Sequence, residues 1–121
     1  VKPVGGANTR DMPSTARIGA QDLLSGRFQG QTVRAIGRLV HIDSGHVHLQ
    51  LAGEGPNAIV DSSSSGLFTH DGVNKDFFEV IGSLQAENVI SPMQCVHLGD
   101  KFDLDLYAEM MALSHQFGEV F

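Results

Sequence analysis

The chain has 121 residues, of which 41% are hydrophobic, and a formal net charge of −6. This length suits a single domain with one modest core, and no stretch approaches the ~20 apolar residues that a membrane span needs. The eight Lys and Arg residues are scattered, whereas phosphate binding needs them clustered, so the composition argues against an autonomous nucleic-acid binder. The single cysteine, Cys95, leaves no disulfide within these residues.

The first part of the chain predicts little regular structure. Residues 1–16 are rich in Gly, Pro and small polar residues, which is typical of a flexible arm. A short helical turn is expected over residues 21–25, because Leu23 and Leu24 can dock it and Gly26 can end it. We therefore expect the folded domain to begin near residue 17.

Strand patterns dominate from residue 32 onward. Thr32–Asp43 is rich in β-branched residues and long for one straight strand, and Gly37 in its middle predicts a bulge or a tight bend. Ser44-Gly45 predicts a two-residue hairpin turn, after which residues 46–52 alternate between apolar and polar. A second turn then leads into a short strand, Ala58–Asp61.

Two further strands complete the predicted sheet. Residues 77–86 repeat the apolar-apolar-Gly-x-Leu signature of residues 35–39, and residues 89–98 contain Pro92, which predicts an edge or a bulge. Five strands, with bend-forming glycines in the first and fourth, are typical of an OB-fold barrel. We therefore predict an all-β, five-stranded OB-fold barrel over residues 17–101 with a C-terminal α-helix. An SH3-like barrel is the alternative.

The final segment, residues 102–121, predicts a helix with two apolar stripes on opposite sides. Asp103 is its expected N-cap, and Gly118 suits the position after its end. The outer stripe consists of Leu106, Met110, Leu113 and Phe117. The inner stripe consists of Leu104, Tyr107, Ala108 and Met111. A surface helix needs only one apolar stripe to pack on its own domain, so we expect the other to be an assembly surface.

Either stripe could face the barrel. We expect the stripe that begins at Leu104 to face the barrel, because it lies nearest the connection from the fifth strand. Burial of both stripes within the domain, for instance by the N-terminal segment, is the alternative. The candidate subunit-interface residues are accordingly drawn from both stripes: Leu106, Met110, Leu113, Phe117, Leu104, Tyr107 and Met111.

Three histidines, His41, His46 and His48, lie beside the predicted hairpin turn. A two-residue turn places His41 opposite His48, and His46 opposite Asp43. A zinc site needs three or four converging ligands, and no cysteine lies nearby in sequence. We therefore expect solvated strand histidines and no metal site.

The serine run 62–65 lies near His70 and Asp71, a combination that could suggest a hydrolase. A nucleophilic serine needs a strained, pre-organised turn with a base and an oxyanion hole. A serine run before a glycine is more typical of a loop. We therefore expect neither an enzyme nor a cofactor.

The best candidates for binding single-stranded nucleic acid are Arg34, Arg38, Lys75 and Phe77. OB folds bind nucleic acid mainly over their second and third strands and the neighbouring loops. Arg34 and Arg38 share one face of their strand only if Gly37 does not shift the alternation. Ion pairing or solvation of these side chains is the alternative, so we expect weak DNA binding at most.

Four segments resemble a known family: IGRL at 36–39, GEG at 53–55, EVIG at 79–82 and, above all, FDLDLYAE at 102–109. They resemble the smallest subunit of replication protein A, the eukaryotic single-stranded-DNA-binding heterotrimer, with matching order and spacing over residues 17–117. The small OB subunit of the related telomere-capping trimer is an alternative, although the FDLxLYxE run favours replication protein A.

The resemblance implies one OB barrel followed by a helix that packs in parallel with helices of the middle and large subunits. Those two subunits would carry most of the affinity for single-stranded DNA. It also implies a non-catalytic, nuclear role in DNA replication, repair and recombination.

Overall fold

Six strands and two α-helices form within residues 15–61 and 67–117, which the computed structural model describes, with side chains up to residue 113. In chain order they are β1 (Ala16–Ile18), α1 (Ala20–Ser25), β2 (Thr32–Asp43), β3 (His46–Leu51), β4 (Ala58–Asp61), β5 (Phe77–Leu84), β6 (Val89–Gly99) and α2 (Leu104–Phe117). Short 3₁₀ turns at His70–Gly72 and Ala86–Asn88 precede β5 and β6. The five strands expected from the sequence lie within two residues of these bounds. None of these helices is both long and apolar enough to cross a membrane.

The strands form one sheet that closes on itself. β2 pairs with β3 along one half and with β5 along the other, and β5 continues through β6 and β4 back to β3. Every pairing in this ring is antiparallel except that of β4 with β6. The predicted five-stranded OB-fold barrel followed by a helix is therefore confirmed.

A sixth strand, β1, pairs in parallel with the first half of β2, opposite residues 33–35. This is the edge of β2 that β3 leaves unpaired, because β3 pairs only from Gly37 onward. The five-strand prediction missed it, and the predicted arm over residues 1–16 overlaps it at Ala16. The rest of that arm, residues 1–14, lies outside the described residues.

Two glycines let β2 and β5 take part in both halves of the barrel. Gly37 faces β3 and β5 at once, and a Cβ there would lie 2.8 Å from the carbonyl oxygen of Gln50. A Cβ at Gly82 would overlap the carbonyl oxygen of Ser91, and the pairing of β5 with β6 shifts register at this glycine. Both glycines therefore allow a close approach of neighbouring backbone, and the predicted irregularity is present at Gly82. In β2, however, the bulge itself falls at Val40, between Leu39 and His41.

Pro92 in β6 lies where the strand is paired on one side only. β4 pairs with β6 up to Ile90, so the missing N–H of Pro92 costs no hydrogen bond on that side. The neighbouring Met93 is skipped in the pairing with β5 and is 66% exposed. The prediction of an edge or a bulge at Pro92 is thus confirmed, because the strand has a free edge at Pro92 and a bulge at Met93.

The core fills the barrel with side chains from all of its strands. Its largest fully buried members are Phe78, Ile18, Leu39, Leu49, Leu51, Leu84, Ile90, Val33, Val47, Val60 and Val80. Cys95 is half-buried against this core, and burial raises the pKa of its thiol. A raised pKa keeps the thiol protonated and therefore poorly reactive.

Candidate assembly and nucleic-acid-binding surfaces

Helix α2 is tied to the barrel at its first turn. The Leu106 N–H donates a hydrogen bond of 2.9 Å to Oδ1 of Asp103, which makes Asp103 the N-cap predicted from the sequence. The ring of Phe102 lies 5.8 Å from the ring of Phe77 on β5 and 5.8 Å from that of Tyr107. These contacts give the FDLxLYxE run a structural role, because its aromatic residues bridge the helix to the sheet.

The inner stripe of α2 faces the barrel. Met111 is only 7% exposed, and Leu104, Tyr107 and Ala108 are half-buried. The Cε atom of Met111 lies 3.7 Å from the point where a Cβ of Gly19 would stand, so the helix crosses the junction of β1 and α1. This is the orientation that the sequence analysis favoured.

Polar side chains surround Tyr107 beneath the helix. Burial raises the pKa of Tyr107, and the negative charge of Glu79 raises it further. The positive charges of Arg17 and Arg34 lower this pKa, but burial is the largest effect. Arg34 Nη1 lies 3.6 Å from Oε2 of Glu79, and both side chains are mostly buried. Arg34 is therefore engaged within the domain, which makes it a poor candidate for binding phosphate.

The outer stripe of α2 stays partly exposed among the residues that the structure describes. Leu106 and Leu113 are each 52% exposed and Met110 is 40% exposed. The side chain of Phe117, its fourth predicted member, lies outside the described residues, as does Gly118. Asp105 and Glu109 are exposed beside the stripe. The result is an apolar ridge with one acidic flank.

An open groove lies between β2, β3 and the segment that leads into α2. It is lined in part by Arg38, Gln50, Phe77, Lys101 and Phe102. The Arg38 guanidinium donates a 2.8 Å hydrogen bond from Nη2 to Oε1 of Gln50. Of the four residues predicted to bind nucleic acid, the groove brings together two, Arg38 and Phe77.

The charges that line this groove do not favour a phosphate backbone. Its cations, Arg38 and Lys101, face three carboxylates, those of Asp100, Asp103 and Asp105. Lys75 is exposed but does not line the groove. Lys101 and Phe102 were not predicted, since only closure of the barrel brings them beside β2.

The hairpin between β2 and β3 has the register expected from its two-residue turn. His41 pairs with His48, and Asp43 pairs with His46. The Val40 bulge lets Ile42 pack against the core while its neighbours His41 and Asp43 are exposed. The serine run 62–65, considered above for catalysis, lies outside the described residues.

A closed five-stranded barrel followed by a helix that exposes an apolar face defines an OB-fold domain with a C-terminal helix. The family model described as replication factor A protein 3 matches residues 11–121. The chain therefore belongs to that family, the smallest subunit of replication protein A. Comparison with curated protein sequences gave no match.

Solved structures with the same fold support this assignment at the level of architecture. A chain of Ustilago maydis replication protein A, in a structure bound to single-stranded DNA, has a TM-score of 0.67 and 21% identity, with 85% of this chain and 91% of that chain covered. A chain of the Schizosaccharomyces pombe Stn1–Ten1 complex has a TM-score of 0.69 and 12% identity, covering 87% and 95% respectively. The telomere-capping protein Ten1 of the same yeast has a TM-score of 0.67 and 13% identity, covering 85% and 99%.

These similar TM-scores do not separate replication proteins from telomere-capping proteins. At such low identities a structural likeness shows the fold alone. The family model that matches residues 11–121 is that of replication factor A protein 3, which places the chain with the replication proteins.

Proposed function

We propose that this chain stabilises a single-stranded-DNA-binding heterotrimer by packing the outer stripe of α2 against helices of the middle and large subunits. The observation that carries the proposal is that the two apolar stripes of α2 differ in burial. Its inner stripe anchors the helix to the barrel through the buried Met111, while its outer stripe exposes Leu106 and Leu113 by half. A subunit whose helix packs on its own barrel by one face and exposes an apolar ridge on the other is suited to a helix bundle.

The outer stripe can contribute to assembly through burial of its apolar side chains, but each of them contributes only a modest free energy. Completing the burial of Leu106 or Leu113 contributes about 1 kcal/mol each, since full burial of such a side chain is worth roughly 1.5–3 kcal/mol. Tight assembly therefore also needs complementary charge. Helix α2 has no Lys or Arg between residues 104 and 117 and exposes Asp105 and Glu109. We expect the partner helices to place basic side chains beside these two.

Co-expression with the two larger subunits tests the proposal. The double variant Leu106→Asp/Leu113→Asp places two carboxylates in the seam and should abolish co-elution on size exclusion, without changing the unfolding midpoint of the isolated chain. Met93→Asp and Leu24→Asp are matched controls, because these side chains are 66% and 71% exposed elsewhere on the domain. Assembly of the double variant at the wild-type level would refute the proposal. Loss of assembly in the two controls as well would refute it equally.

We also propose that the chain has no catalytic activity, acts in the nucleus and contacts DNA mainly through its larger partners. The acidic lining of the Arg38 groove supports this last point. The isolated chain should bind single-stranded DNA no more tightly than micromolar at ~0.15 M salt. With two cations in the groove, the slope of log K against log salt should not exceed ~1.4 in magnitude. A sub-micromolar affinity that Arg38→Ala abolishes would instead favour a direct DNA-binding module.

The small subunit of a telomere-capping complex is the alternative function named from the sequence. The likeness to the Stn1–Ten1 chain, at 12% identity, shows a shared fold and does not favour that function. Mixing this chain with partners of both kinds separates the two functions. We expect assembly with the replication protein A subunits and not with a Stn1-type partner.

A further inference from the structure

The exposed face of the β2–β3 hairpin brings together two imidazoles and a carboxylate. His41 and His48 are direct cross-strand neighbours, and their ring centroids lie 5.1 Å apart. Asp43 follows His41 by two residues and lies on the same face of β2. One ligand atom from each of the three side chains lies within 4.8 Å of the others.

The two distances from Asp43 are close to those that a bound metal ion requires, and the two imidazole nitrogens lie within 4.8 Å of each other. Oδ2 of Asp43 is 3.3 Å from Nε2 of His48 and 3.7 Å from Nε2 of His41. Tetrahedral Zn²⁺ with bonds of ~2.0–2.1 Å holds its ligand atoms about 3.3 Å apart. The remaining adjustment falls to the His41 side chain, which is 60% exposed and can rotate.

The backbone beneath these side chains is well supported. β3 is paired on both sides, since His48 lies between His41 on β2 and Ile59 on β4. His48 is also the least exposed of the three, at 25%. A site with one fixed ligand and two adjustable ligands on a paired hairpin needs little reorganisation to bind an ion.

We propose that His41, Asp43 and His48 bind a Zn²⁺ ion, with a fourth position open to water. Two imidazole nitrogens and one carboxylate oxygen suit Zn²⁺ rather than Mg²⁺ or Ca²⁺, which prefer all-oxygen sites. This revises the expectation that the hairpin histidines are only solvated. The facing pair His41 and His48 alone falls short of the three-ligand minimum, which is reached once Asp43 is counted.

Titration of the metal-free full chain tests the site. Zn²⁺ should bind and raise the unfolding midpoint, because a ligand that binds only the folded state stabilises it. Mg²⁺ at the same concentration should not. Co²⁺ should give the intense visible absorption of a tetrahedral ion. Asp43→Asn and His48→Ala should each weaken Zn²⁺ binding by at least ~10-fold.

Two histidine variants provide the controls. His46→Ala removes an imidazole from the same hairpin. His97→Ala removes an imidazole elsewhere that also lies beside a carboxylate, since Nε2 of His97 is 3.2 Å from Oδ2 of Asp76. Both should bind Zn²⁺ like the wild type. The proposal is overturned by absence of Zn²⁺ binding, by an equal response to Mg²⁺, or by control variants that lose affinity as much as His48→Ala does.

Discussion

Replacing Met111 by Ala tests how α2 is mounted on the barrel. Met111 is 7% exposed and reaches the β1–α1 junction at Gly19. Buried Met→Ala substitutions cost roughly 2–5 kcal/mol. Since Met111 packs between the helix and the barrel wall and not within the central core cluster, we expect the lower end of this range, about 2 kcal/mol. For a chain of this size that corresponds to a fall of about 8 °C in Tm.

Urea unfolding of the isolated chain, followed by circular dichroism, measures this loss. Met110→Ala is the matched control, because the adjacent side chain is 40% exposed on the outer stripe. It should change the free energy of unfolding by less than ~0.5 kcal/mol. Equal losses for the two variants, or a larger loss for Met110→Ala, would refute the orientation of the helix.

Three further predictions concern the barrel and the start of the helix. Gly82→Ala should destabilise the chain by about 2–3 kcal/mol in urea, because its Cβ would overlap the backbone of Ser91. Asp103→Ala should cost about 1 kcal/mol through loss of the cap, and Asp103→Ser should restore most of it. Burial raises the pKa of Tyr107, so the folded state retains a proton that the unfolded state loses. The contribution of Tyr107 to stability should thus be constant below pH ~10 and fall above it, and Tyr107→Phe should remove this part of the alkaline loss of stability. Tyr107 is the single tyrosine, so phenolate absorbance during an alkaline titration reports its pKa directly.

Much of the fold was predictable because its signals are local. The two-residue turn at Ser44-Gly45 predicts the hairpin register as far as the pair His41 and His48, beyond which the bulge at Val40 shifts it. Gly37 and Gly82 marked two points of close backbone approach, and Asp103 marked the start of α2. Strand β1 escaped prediction, because three residues that pair in parallel with a distant strand carry no periodic pattern.

The candidate surfaces were only partly predictable, because closure of the barrel decides which side chains meet. The two stripes of α2 follow from helical spacing, yet only packing shows that Met111 is buried and Leu113 is not. Lys101 joins Arg38 at one groove although the two lie far apart in sequence. Asp43 joins His41 and His48 on one face, a combination that counting histidines and cysteines alone overlooked.

The most direct test of the central claim is methionine oxidation footprinting of the chain, free and in the heterotrimer. Met110 lies on the outer stripe at 40% exposure, Met111 on the inner stripe at 7%, and Met93 on β6 at 66%. In the free chain, Met93 and Met110 should oxidise faster than Met111, since oxidation follows exposure. Assembly should protect Met110 and leave Met93 reactive. Unchanged oxidation of Met110 in the assembled complex would contradict the assignment of the outer stripe as the assembly surface.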